Sequence, residues 1–124
     1  MATQVTAVVD GYIAMWNETS PEARRAIIAE TWSEDGTYLD PLMSGEGAAG
    51  IDAMVAGVQE QFPGHRFELT SGPDHHHHRV RFAWRLVGAN GGAAVARGVD
   101  FATLADDGRL RSVTGFLEPA AGEE

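Results

Sequence analysis

Arg79-Val80-Arg81-Phe82-Ala83-Trp84-Arg85-Leu86 alternates apolar side chains at 80, 82, 84 and 86 with arginines at 79, 81 and 85. A period of two places the four apolar groups on one face of an extended chain and the guanidinium groups on the other, the pattern of a half-buried strand. Phe67 and Leu69 begin the same period just after Arg66. Asn90-Gly91-Gly92 and Asp106-Asp107-Gly108 are strong turn signals, so a three-stranded antiparallel meander is predicted over roughly residues 75 to 117.

Upstream of Pro63-Gly64 the period is helical. Val5, Val8, Val9, Tyr12, Ile13 and Trp16 recur at the spacing of one amphipathic stripe. Thr19-Ser20-Pro21-Glu22 offers either a Thr19 to Glu22 capping box or a Ser20 cap with Pro21 in the first turn. The helix that follows buries Ile27, Ile28, Thr31 and Trp32 and ends near Ser33-Glu34-Asp35-Gly36. Thr37-Tyr38-Leu39-Asp40 reads as a short strand stopped by Pro41, followed by a Gly/Ala-rich loop to Gly50. Ile51, Met54, Val55, Val58 and Phe62 give a third helix, and Ala120-Ala121-Gly122-Glu123-Glu124 reads as a loose tail. The layout is α+β: one domain over residues 1–124, with three N-terminal helices packed on one face of a curved antiparallel sheet.

Composition removes much chemistry. The formal charge is −9, and all nine basic residues are scattered arginines, so nucleic acid and anionic membranes are poor partners. With no cysteine and no lysine, thiol nucleophiles, thiolate metal sites, Schiff bases and the phosphate-binding P-loop are excluded. The N-terminus lacks a basic, then apolar, leader, and no stretch approaches the roughly 20 apolar residues of a membrane span, so a cytoplasmic protein is expected. Richness in Ala, Gly and Arg without Lys suits a high-GC bacterial source.

Two motifs have ordinary explanations. Gly45-Glu46-Gly47-Ala48-Ala49-Gly50 satisfies the dinucleotide fingerprint literally. However, the strand before it ends in a proline turn, the later strands are antiparallel, and the chain is too short for a doubly wound domain. His75 to His78 lead into the Arg79 strand, and alternation would give each face a pair about 7 Å apart. Two ligands without a third make no metal site, so a solvated strand end is expected.

Three polar residues stand where apolar ones are called for: Tyr12 on the first helical stripe, Asp40 before Pro41, and Asp100 within Gly98-Val99-Asp100-Phe101-Ala102. A buried acid must be paired, neutralised or employed. For Asp100 the alternation allows two registers. One turns Val95, Val99 and Phe101 to the core and leaves the acid in water; the other turns Asp100 inward among Ala96, Gly98, Ala102 and Leu104, leaving room for a ligand and an apolar outer face for a dimer. Trp16, Trp32, Trp84, Phe82 and Met54 read equally as filled core or as cavity lining.

Thr6 to Ala14, Asp35-Gly36-Thr37-Tyr38-Leu39-Asp40-Pro41, and Val99-Asp100 with Asp107-Gly108-Arg109-Leu110 resemble the ketosteroid isomerases. That family belongs, with the SnoaL-like polyketide cyclases, to the group with the nuclear transport factor 2-like (NTF2-like) fold, and the similarity runs over about residues 6 to 118. The resemblance implies a cone-shaped curved sheet with the helices on its concave face. It also implies catalytic roles for Tyr12 as an oxyanion donor, Asp40 as the proton shuttle and Asp100 as a neutral second donor, the family's known division of labour. Substrate-binding positions would be Trp16, Met54, Val55, Phe82 and Trp84; at Val55 the isomerases carry a supporting tyrosine. The expected activity is isomerisation or cyclisation of a small apolar, carbonyl-containing steroid-like or polyketide-like ligand through an enolate. No cofactor or metal is required, and a homodimer through the sheet is expected. The alternative is a non-catalytic domain of this fold that binds a ligand or a protein.

Overall fold

Ser20 decides between the two caps. In the computed structural model, which describes residues 2–118, its hydroxyl accepts from the Ala23 amide with Pro21 in the first turn, a free-donor end satisfied by the side chain that precedes it. Helix α1 (Ala2–Asn17) comes before it and α2 (Pro21–Thr31) after it. The predicted tail lies outside the described residues.

The second helix ends earlier than its apolar spacing suggests. Trp32 is extended (φ −110°, ψ 147°) and begins strand β1 (Trp32–Leu39), so Ser33 to Gly36 are strand residues and not a helix end. Arg109 holds this corner, donating from Nη1 to the carbonyls of Ala29 and Trp32. The Gly/Ala-rich loop is also shorter than predicted: Ser44–Glu46 form β2, which pairs with β1, and α3 (Gly47–Gln61) starts at Gly47. Glycine-rich sequence conceals β2 and the first turn of α3, which carry no apolar side-chain pattern.

Strands β3 (Arg66–His76), β4 (Arg79–Val87), β5 (Ala96–Leu104) and β6 (Leu110–Leu117) complete a curved six-stranded sheet in the order β2-β1-β6-β5-β4-β3. The meander is antiparallel as expected, but the sheet is mixed, because β1 runs parallel to β6. A parallel neighbour far away in sequence leaves no local signal. Irregularities in β3 at Leu69 to Ser71 and Ser71 to Asp74, with Gly72 at φ +90°, bend this edge strand. His75 and His76 end β3, whereas His77 and His78 form the turn at φ 48° and 62°. Strand alternation therefore does not sort the four histidines into pairs, and no group of three or more metal-ligating side chains occurs among the described residues.

The helices cover the inner face, joined to one another by polar ties at one end. Asn17, the last residue of α1, pairs with Phe67 like a strand: its Nδ2 donates to the Phe67 carbonyl at 2.9 Å and its Oδ1 accepts the Phe67 amide at 2.7 Å. The buried Arg24 guanidinium donates to Asp52 Oδ1 at 2.6 Å, to Gln59 Oε1 and to the Glu18 carbonyl, linking α2, α3 and the end of α1. Burying a guanidinium is tolerated here because its donors are met on several sides. Val9, Tyr12, Met15, Ile28, Trp32, Ile51, Val55, Phe82 and Val113 fill the core between helices and sheet. Among the described residues no helix is long and apolar enough to cross a membrane.

Candidate active site

Asp100 takes the inward register. Gly98, Asp100 and Ala102 are buried on β5 while Phe101 is exposed, and the carboxyl group is 2 % accessible. Both of its oxygens are occupied: the Tyr12 hydroxyl donates to Oδ2 at 2.6 Å and the Trp84 indole Nε1–H to Oδ1 at 3.1 Å. The helical stripe of α1 aims Tyr12 at this point, and Phe82 supports it edge-on, with ring centroids 5.3 Å apart. Gly98 admits the indole, for a Cβ there would lie 2.6 Å from Trp84 Cζ2. The small residues around Asp100 thus leave room partly for Trp84 and not for a ligand alone.

Asp40 approaches from the end of β1. Its Oδ1 accepts the amides of Leu42 at 2.8 Å and Met43 at 3.0 Å, a turn made possible by Pro41, and its Oδ2 accepts the Tyr38 hydroxyl at 2.6 Å. Tyr38 was not anticipated. Strand period sets it on the same side as Asp40, two residues on, and that spacing was the available signal. The site is two phenol–carboxyl pairs, Tyr12 with Asp100 and Tyr38 with Asp40.

Both pairs border a cavity of about 620 Å³, a volume suited to a small molecule. Its wall is mostly apolar: Trp16, Phe67 and Trp84 line one side, Met54 and Val58 of α3 and Phe62 just after it another, with Leu42 and Leu117 exposed beside it. Of the expected binding residues, Trp16, Met54 and Trp84 are on this wall. Val55 and Phe82 are not: both are core residues behind it, Phe82 packed under Tyr12 and Val55 fully buried. Helix and strand periods give the inward face of an element but do not tell lining from filling.

Burial raises the Asp100 carboxyl from 3.8 to about 6, with the nearby Asp40 charge adding to the shift and the Tyr12 and Trp84 hydrogen bonds opposing it. Burial, then the Asp100 charge, likewise pushes the Tyr12 and Tyr38 hydroxyls above the ordinary phenol range, so both stay protonated as donors. An acid that changes its charge near pH 6 beside a permanently protonated phenol, at the wall of an apolar cavity, is equipped to hold or release one proton.

A helix-covered curved sheet with a cavity between the layers and acids at its wall defines an NTF2-like α+β domain. The SnoaL-like domain profile matches residues 9–113, and the chain belongs to the SnoaL-like family. A protein of that family from Agrobacterium tumefaciens, named as a candidate isomerase, is similar over 94 % of this chain and 99 % of its own, at 43 % identity and a TM-score of 0.88. A candidate SnoaL-like polyketide cyclase from Jannaschia shares the fold at 20 % identity and a TM-score of 0.73, over 94 % and 87 % of the two chains. A de novo designed protein with a curved sheet shares it at 14 % identity and the same TM-score, over 96 % and 88 %. No curated protein matches the sequence.

Proposed function

We propose that the chain is an isomerase or cyclase that moves a proton next to a carbonyl group through an enolate held in the apolar cavity. The observation that carries this is the convergence of Tyr12, Asp100 and Asp40 on one cavity wall, with two hydroxyl donors directed at the two acids. Asp40 takes a proton from the carbon beside the carbonyl and its carboxylate becomes a carboxylic acid. The electron pair left on carbon moves to the carbonyl oxygen, which Tyr12 and protonated Asp100 stabilise by hydrogen bonds. Asp40 then returns the proton at a second carbon, or the enolate carbon attacks a second carbonyl carbon of the same molecule to close a ring, the π pair of that C=O moving to its oxygen, which takes the proton back from Asp40. When Asp100 carries a proton it no longer requires the Tyr12 hydroxyl as a donor, and that hydroxyl is free to turn to the substrate oxygen. The apolar wall selects a steroid-like or polyketide-like ligand, since few polar substituents would find partners there.

The test is exchange of the α-protons of an enone into deuterated buffer. Wild-type protein should catalyse it, and Tyr12→Phe should lower the rate by about 10²-fold, the usual loss of one oxyanion donor. Absence of exchange by the wild type at saturating enone would refute the proposal.

We also propose that two copies pair through the outer face of the sheet. Leu39, Phe101 and Phe116 are 57, 40 and 60 % exposed and adjoin one another across β1, β6 and β5. Two of the neighbouring arginines are matched within the chain, Arg81 with Asp74 and Arg85 with Glu68, which lowers the charge beside the apolar patch and favours a like surface. Small-angle scattering at micromolar concentration should give a dimer mass for the wild type and a monomer mass for Phe116→Glu; a wild-type monomer would reject the pairing.

A further inference from the structure

Gly115 of β6 pairs directly with Asp100 across the sheet. Its φ lies outside the left-handed region, so the backbone there does not call for glycine. The space does. A Cβ at this position would lie 2.9 Å from Asp100 Oδ1, 3.2 Å from Asp40 Cβ and 3.3 Å from the Tyr38 hydroxyl oxygen. Members of both phenol–carboxyl pairs, brought by different strands, surround the one point that a methyl group would occupy.

None of these neighbours can simply step aside. Asp100 is held at both oxygens, by Tyr12 and Trp84, and is buried. Tyr38 is 4 % exposed, its ring lies edge-on to Trp16 at 5.7 Å, and its hydroxyl is committed to Asp40. Asp40 is tied by the two amides of its turn. The ionisable groups around this point are Tyr38 and Asp40 from β1 and its end and Asp100 from β5, with Tyr12 of α1 bonded to Asp100; the polar side chain that α3 brings to the cavity wall is the Gln61 amide.

We propose that Gly115 is a positioning residue of the site: its missing side chain is what lets the Tyr38–Asp40 and Tyr12–Asp100 pairs close on one point. The mechanistic value of that convergence rests on the enolate chemistry proposed above, whereas the positioning itself does not. In Gly115→Ala the methyl displaces Asp100 Oδ1 from Trp84 and the Tyr38 hydroxyl from Asp40, and it puts apolar surface against an anionic oxygen.

Two measurements on the full chain separate the claims. Without any substrate, carbon NMR of the Asp100 carboxyl and of the Tyr38 ring carbon bearing oxygen is followed against pH in the wild type and in Gly115→Ala. The Asp100 midpoint should rise by about one unit and the Tyr38 signal should shift with it. With an enone, kcat for exchange should fall at least about tenfold while KM stays within about twofold, because the wall that binds is intact and the reacting groups are displaced. An Asp100 midpoint and a Tyr38 ring-carbon shift that are both unchanged in Gly115→Ala overturn the proposal. A wild type that exchanges nothing overturns the enolate mechanism instead and leaves the titration result standing. Should Gly115→Ala not fold, the same substitution is made on an Asp100→Ala background, where the nearest atom is gone. Folding restored there supports crowding at this point, and failure of both overturns it.

Discussion

Asp40→Asn is expected to lower enone α-proton exchange by about 10³-fold, within the range for loss of a general base, with little change in folding stability. The two parts of that expectation come from different oxygens of the same group. Oδ1 builds the turn, accepting the amides of Leu42 and Met43. An asparagine amide oxygen accepts the same two bonds, so the segment after β1 keeps its shape and stability should change by no more than about 1 kcal/mol. Oδ2 faces Tyr38 and borders the cavity. There the substitution leaves an amide nitrogen that cannot take a proton. Asp40→Ala would confuse the two roles by leaving two amides of the turn unmet. The measurements are deuterium incorporation by NMR and the thermal midpoint; undiminished exchange in Asp40→Asn would mean that another group is the base.

Much of this site could be read from residue type against local pattern. Tyr12, Asp40 and Asp100 stand out because a polar side chain occupies a position where helical or strand period demands an apolar one, and burial of Tyr12 and Asp100 to 1 % and 2 % exposure shows that the patterns were real. Tyr38 escaped notice for the opposite reason. A tyrosine in a strand is an ordinary β residue, and only its distance of two from Asp40 hinted at a shared face. Gly115 carried no signal of its own, yet a register centred on the Asp107-Gly108 turn sets it across from Asp100. The parallel pairing of β1 with β6 was beyond local pattern altogether, and it is this pairing that sets Tyr38 and Asp40 one intervening strand, β6, from the β5 strand of Asp100. Val55 and Phe82 mark the remaining limit: both point inward as expected, but a core residue one layer behind a cavity has the same sequence signature as one lining it.

Asp100→Asn should show a stability difference from the wild type that grows with pH. The folded-state value near 6 lies above the ordinary 3.8, so between these two the native chain holds a proton that the unfolded chain has released. Stability of the wild type therefore declines as pH rises from about 4 to about 6, and the cost, about 3 kcal/mol for a shift of this size, is present in full above pH 7. Asparagine has no such proton to lose. The free energy of unfolding of Asp100→Asn minus that of the wild type should accordingly increase by about 2 kcal/mol between pH 4 and pH 7.5, measured by urea denaturation. Glu68 and Asp107, whose carboxyls are held below the usual range by Arg66 and Arg109, give slopes of the opposite sign at lower pH, but they are common to both proteins and cancel in the difference. Lost or reoriented hydrogen bonds to Tyr12 and Trp84 move the whole difference up or down without tilting it. Catalysis supplies the second readout, because the proposed mechanism needs Asp100 as a donor: wild-type exchange should weaken as pH rises through about 6, whereas Asp100→Asn, which carries its N–H at every pH, should lack that decline. A stability difference that stays flat from pH 4 to 7.5 would mean that the carboxyl is not held in its proton-binding range by the fold, and Asp100 would then be an ionised acceptor for Tyr12 and not its partner in holding an enolate.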